Sequence, residues 1–115
     1  MCKEELDIKL SPKEILHILE EKIKRLNRIH REFYTLEKNT VLYVVVYEFL
    51  FLRNSSSGTI TLLLEDHTDW TTVKIIVSEV KGGILSHDDY LASEDACFMI
   101  KKLLHEYIVS QKTLI

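Results

Sequence analysis

The sequence predicts a two-layer α+β domain: an antiparallel sheet of about five strands with two helices on one face, in the order β-α-β-β-β-β-α. Three observations carry this. Val41–Arg53 (VLYVVVYEFLFLR) has eleven apolar residues in thirteen, most of them β-branched or aromatic. Shorter stretches on either side alternate polar and apolar residues, the period of a half-buried strand. Two further segments space their apolar residues by three and four, the period of an amphipathic helix.

The first strand is Glu5–Leu10, with Leu6, Ile8 and Leu10 inward. Ser11-Pro12-Lys13-Glu14 then starts a helix: Ser11 is the N-cap, Pro12 takes the tolerated first position, and Glu14 completes a capping box. The stripe Ile15, Leu16, Leu19, Ile23, Leu26 carries this helix to about Arg28, with Glu20–Lys24 and Glu21–Arg25 as supporting i,i+4 pairs. Phe33, Tyr34 and Leu36 suggest a second, edge-like strand between Ile29 and Lys38, and Lys38-Asn39-Thr40 turns into the long strand.

Both faces of Val41–Arg53 are apolar, which marks a central strand covered on both sides. Asn54–Gly58 is a hairpin loop. Thr59–Glu65 follows with Ile60, Leu62 and Leu64 inward. After the turn Asp66–Asp69, the strand Trp70–Val80 turns Val73, Ile75 and Val77 inward. Gly82-Gly83 ends the sheet, and Ser93 caps a last helix whose stripe is Ala96, Ile100, Leu103, Leu104, Tyr107 and Ile108. The tail beyond Gln111 is expected to fray.

The whole chain, 1–115, reads as one domain of ordinary size, able to bury a core without a disulfide or a metal. Cys2 and Cys97 suggest no disulfide framework. Cys97 as a nucleophile is opposed by the neighbouring Glu94 and Asp95. A net charge of −3 argues against nucleic acid, and the basic run Lys22, Lys24, Arg25, Arg28, Arg31 fits a helix C-terminus. Residues 1–30 are too charged for a signal peptide, and the long apolar run is too short for a membrane helix, so a cytoplasmic location is expected.

Two polar clusters merit a chemical reading. Asp66 and His67 in one turn, with His87 and Asp88 in another loop, would make a metal-assisted hydrolase credible if they converged. Each is also what a solvated turn looks like. Lys81-Gly82-Gly83 lacks the spacing of a phosphate loop. No motif demands a cofactor, and no catalytic residue is identified, so the reading leans away from an enzyme.

The Tyr47–Ser55 stretch (YEFLFLRNS), the Gly58–Leu64 strand and the Gly82-Gly83 turn together resemble a family of small bacterial cytosolic proteins of unknown function. The resemblance implies an α+β sandwich and carries no activity.

One sheet face is left without cover. Its candidates are Tyr43, Val45, Tyr47, Phe49 and Phe51, or the alternate row of the same strand, together with Leu63 and Ile76. An apolar patch of this kind marks an interface, and a homodimer or a protein partner is its simplest cover. The alternative is a carrier or sensor of a small apolar ligand, with Tyr43, Tyr47 and Trp70 lining a pocket.

Overall fold

The computed structural model describes residues 2–51, 56–79 and 87–113. It is an α+β fold of six antiparallel strands and two helices. The first strand, β1, is Cys2–Ile8. The capping box then forms: Ser11 Oγ accepts from the Glu14 amide at 3.2 Å, and the Ser11 amide donates to Glu14 Oε1 at 3.1 Å. Helix α1, Pro12–Lys22, buries Ile15, Leu16 and Leu19.

The helix is one and a half turns shorter than its apolar stripe suggests, because Ile23 leaves it in an extended conformation. Ile23 and Leu26 still reach the core from the turn that follows, so the stripe continues without the helix. The residues freed become β2, Asn27–Thr35, which pairs along β3. The expected pairs Glu20–Lys24 and Glu21–Arg25 are replaced. Glu21 meets His17 at 3.0 Å, and Glu20 meets Arg28 at 3.4 Å.

A tight turn with Lys38 and Asn39 at φ 61° and 63° leads into β3, Val41–Phe51. β3 and β4, Ser56–Asp66, form a hairpin in unbroken register, Val41 opposite Asp66 through to Phe51 opposite Ser56. β5 is Thr71–Glu79. Helix α2 spans His87–Leu104, so it begins six residues ahead of the expected cap at Ser93. The expected turn residues Asn54 and Ser55, and Lys81-Gly82-Gly83, lie outside the described residues, as do the side chains of Phe51 and Ser93.

Lys112 and Thr113, part of the tail expected to fray, are paired in a strand instead. Ile108–Thr113 forms β6, rich in β-branched residues, and pairs with β1. The sheet order is β2-β3-β4-β5-β1-β6, one strand more than the sequence suggests. β1 thereby becomes an interior strand.

The parity of each strand divides core from surface. Leu6 and Ile8, Ile60, Leu62 and Leu64, and Val73, Ile75 and Val77 all point inward and are buried. Register with β4 puts Val45, Tyr47 and Phe49 on the same side, beneath α1 and α2. Ala96, Ile100 and Leu104 close the core from α2. Thr71 Oγ1, buried at the start of β5, donates to the Leu10 carbonyl at 2.6 Å and ties the turn to the end of the first strand.

Two contacts pin the layers together. Tyr47 is fully buried, and its hydroxyl donates to Glu20 Oε2 at 2.6 Å. Burial and the Glu20 carboxylate both push the phenol well above its ordinary range. Cys2 and Cys97 form a disulfide between β1 and α2, with their Cα atoms 6.5 Å apart, contrary to the expectation of unpaired cysteines. Spacing alone could not reveal a bridge across 95 residues.

Cross-linking residues this far apart restricts the unfolded chain, so Cys97→Ser should cost about 2–4 kcal/mol of unfolding free energy. Urea titration should show this loss, and reductant should bring the wild type to the same midpoint. Tyr47→Phe should cost about 1 kcal/mol. Because the folded phenol holds its proton above the unfolded value of 10.0, its stabilisation is complete below that pH and declines above it. Melting curves at alkaline pH should therefore fall less steeply for Tyr47→Phe than for the wild type.

Candidate interaction surface

The helix layer is too small for the sheet it covers. The eleven residues of α1 extend about 16 Å, whereas the eleven of β3 extend about 36 Å. α2 lies over β5 and β1, and α1 lies beside it over β4. α1 meets the start of β2, where Glu20 pairs with Arg28, and leaves Phe33 further along the strand exposed.

The consequence is an edge strand with apolar residues exposed on both faces. Phe33 stands opposite Tyr43, on the helix side of the sheet, with ring centres 6.0 Å apart, yet it is 65% exposed. Ile29 is half exposed, as are Tyr34 on the opposite face and Leu36 just past the strand. A bulge between Arg28 and His30 distorts the start of β2 and leaves Arg31–Thr35 in regular pairing. Glu32 sits between His30 and Tyr34 on the outer face. It meets His30 Nε2 at 3.5 Å, and its hydrogen bond raises the Tyr34 hydroxyl above its ordinary range.

The outer sheet face has no helix on it. Its middle is apolar: Leu42, Val44 and Val46 from β3 stand beside Leu63 of β4, and Ile76 of β5 lies across from Thr61. All five are partly exposed. The alternate row of the long strand is thus the one that faces out. Val45, Tyr47 and Phe49 are core, Tyr43 packs against the core's margin, and Phe51 has no described side chain.

Towards β6 the same face becomes polar, through a row of cross-strand hydrogen bonds. Ser110 Oγ donates to Asp7 Oδ2 at 2.7 Å, and Thr72 Oγ1 donates to Asp7 Oδ1 at 2.8 Å. Thr72's hydrogen being spent on Asp7, its oxygen accepts from His67 Nε2 at 3.1 Å, which assigns the proton to that nitrogen. Trp70 lies in the turn, ahead of β5 rather than in it, and stacks on His67 at 4.8 Å. In the same turn Asp66 Oδ1 accepts from the Thr68 amide at 2.9 Å and holds Thr68 at φ 77°, unfavourable for a β-branched residue.

Of the four candidate metal ligands, Asp66 and His67 have described side chains. Asp66 and His67 lie beside the start of β5. α2 tracks along β1 towards that end: Cys97 bonds Cys2, Lys101 meets Glu4 at 3.2 Å, and the Lys9 amide reaches the Tyr107 carbonyl. His87 and Asp88 open the same helix, about ten residues and 15 Å before Cys97 and away from His67. Their side chains lie outside the described residues. Among the described residues no group of three His, Cys, Asp or Glu side chains could hold a metal.

The aromatics expected to line one pocket are apart. Tyr47 is buried on Glu20, Tyr43 leans on Phe33, and Trp70 lies on His67. A groove of about 640 Å³ does exist, between α2 and β6, but Phe98, Lys102, His105 and Val109 line it instead.

Sequence reasoning missed Ile29 and the importance of Phe33. The signal was faint, because three polar residues, His30-Arg31-Glu32, separate Ile29 from Phe33 and a helical spacing precedes them. No described helix is long and apolar enough to cross a membrane. Comparison with protein-family models, with curated proteins and with solved structures finds no match. Whatever the chain does must therefore be argued from its own surface.

Thr72→Val removes the centre of the hydrogen-bonded row while keeping the side chain's shape. It should lower stability by about 1 kcal/mol in urea titration. It should also free the His67 ring, seen as a change in its imidazole nitrogen resonances.

Proposed function

We propose that this is a non-enzymatic protein that works by association, either with itself or with a protein partner, through the part of its sheet that the helices leave bare. The observation that carries the reading is Phe33: a large aromatic on the helix side of the sheet, 65% exposed because no helix reaches it. It stands with Ile29, Tyr34 and Leu36 around one edge strand, and the apolar middle of the outer face begins on the next strand. Edge strands that are long, exposed and apolar pair with other chains, and clustered apolar surface marks interfaces.

The carrier reading has less in its favour. Its three aromatics point to three different neighbours, and the groove beside β6 has a mixed lining of lysines, a histidine and apolar side chains. The hydrolase reading needs His67 and His87 together, and the His67 ring is already held by Thr72 and Trp70.

Cytoplasmic location, the expectation from the sequence, has a chemical consequence. Cytosolic reductants keep thiols reduced, so Cys2 and Cys97 would stand there as two buried thiols and would close as a disulfide only in an oxidising compartment.

Light scattering across the micromolar range should return a mass above that of one chain, or a one-to-one complex with a captured partner that Phe33→Lys abolishes. A protein that stays monomeric, together with partner capture that Phe33→Lys leaves unchanged, contradicts the proposal.

A further inference from the structure

The edge of the sheet opposite β2 is β6, and the groove of about 640 Å³ runs between it and α2. One wall is a single helical face: Phe98, Lys101 and Lys102 of α2, with His105 just past its end, recur at spacings of three and four. The other wall is β6, from Ile108 to Gln111. α2 meets β1 at Cys97–Cys2 and at Lys101–Glu4, and the Lys9 amide then reaches Tyr107. The helix therefore runs alongside β1 and along the strand paired to it. The groove is a channel that follows a strand edge.

Its lining is amphipathic and of one sign. Phe98 and Val109 are each 65% exposed. No carboxylate is among the described residues that line the groove, although the chain as a whole carries a net charge of −3. Lys101 is held by Glu4, and Lys102 and His105 stand exposed.

We infer that this groove takes an extended peptide segment of a protein partner, with apolar and acidic side chains on one side, which adds to the sheet as a further strand along β6. The backbone favours it. β6 is the last strand of the sheet and pairs with β1, so alternate N–H and C=O groups on its other side are open to an added strand. The charge favours it, because acidic side chains complement Lys102 and His105. The spacing favours it as well. Phe98 and Lys102 are one helical turn apart, about 6 Å along the axis, and two residues of strand advance about 6.6 Å. An apolar side chain set against Phe98 thus brings the side chain two residues on, which shares its face, beside Lys102. A small amphipathic carboxylate would meet Phe98 and Lys102 and leave the edge of β6 unpaired. The inference goes beyond the association reading above: it adds a separate contact at the other edge of the sheet and does not depend on Phe33.

The probe is a short fluorescein-labelled peptide in which threonine alternates with leucine and glutamate in turn, so that leucine and glutamate share one face. Fluorescence anisotropy at low salt should show saturable binding, and amide hydrogen exchange should show β6 gaining protection when the peptide is present. Lys102→Glu and Phe98→Ser, both at exposed positions, should fold as the wild type does by circular dichroism and should each weaken binding by about tenfold. Methylating the peptide's alternate backbone amides on the side that faces β6 should abolish binding while every side chain is kept. Phe33→Lys, at the far edge, should leave peptide binding unchanged, which separates a failure here from a failure of the association reading. An N-methylated peptide or decanoate that binds as tightly as the parent peptide would overturn strand addition. Binding that never saturates up to millimolar peptide, or that Lys102→Glu leaves unchanged, would overturn the peptide site altogether.

Discussion

Val41 opposite Asp66 and Phe51 opposite Ser56 set the parity of the long hairpin, and every other division of the molecule depends on that parity. Both rows of β3 are apolar, so the strand itself is indifferent to which side is buried. Its neighbour is not: β4 has Ile60, Leu62 and Leu64 on one face and threonines and glutamate among the residues on the other. Once the two strands are zipped, Val45, Tyr47 and Phe49 go to the helices and Leu42, Val44 and Val46 go out. A slip of one residue would turn either Leu42, Val44 and Val46 inward in place of Val45, Tyr47 and Phe49, or Thr61 and Glu65 inward in place of Leu62 and Leu64.

The helices then decide how much of the inward face is hidden. Tyr47 fixes where α1 can sit, since its hydroxyl must meet Glu20 and its ring must be covered. The disulfide and the Lys101–Glu4 ion pair fix α2 over β1. With both helices committed to the middle of the sheet, β2 is left outside. Its apolar exposure is a consequence of where the core is and of how short α1 is, not of any weakness in pairing with β3.

Much of this was legible in the residues. The inward rows of β1, β4 and β5 follow from strict alternation, and the start of α1 follows from Ser11, Pro12 and Glu14. The end of α1 was not, because Ile23 and Leu26 sit at helical spacing and are buried whether or not the helix continues. What stops it is pairing between β2 and β3, a contact between distant residues that local periodicity cannot register. β6 was hidden for the same reason: Tyr107 and Ile108 extend a helical stripe, and only the open edge of β1 makes them a turn and a strand. At the candidate surface, the sequence pointed to the correct strand, β3, but not to which of its rows faces out, and it gave no account of Ile29.

The central claim is that the chain associates through the exposed side of β2. Amide hydrogen exchange measured at increasing protein concentration tests it most directly. Backbone amides of Arg31–Thr35 that do not face β3 should gain protection as concentration rises, while those of β6 keep constant rates. Exchange along β2 that is independent of concentration would contradict the account.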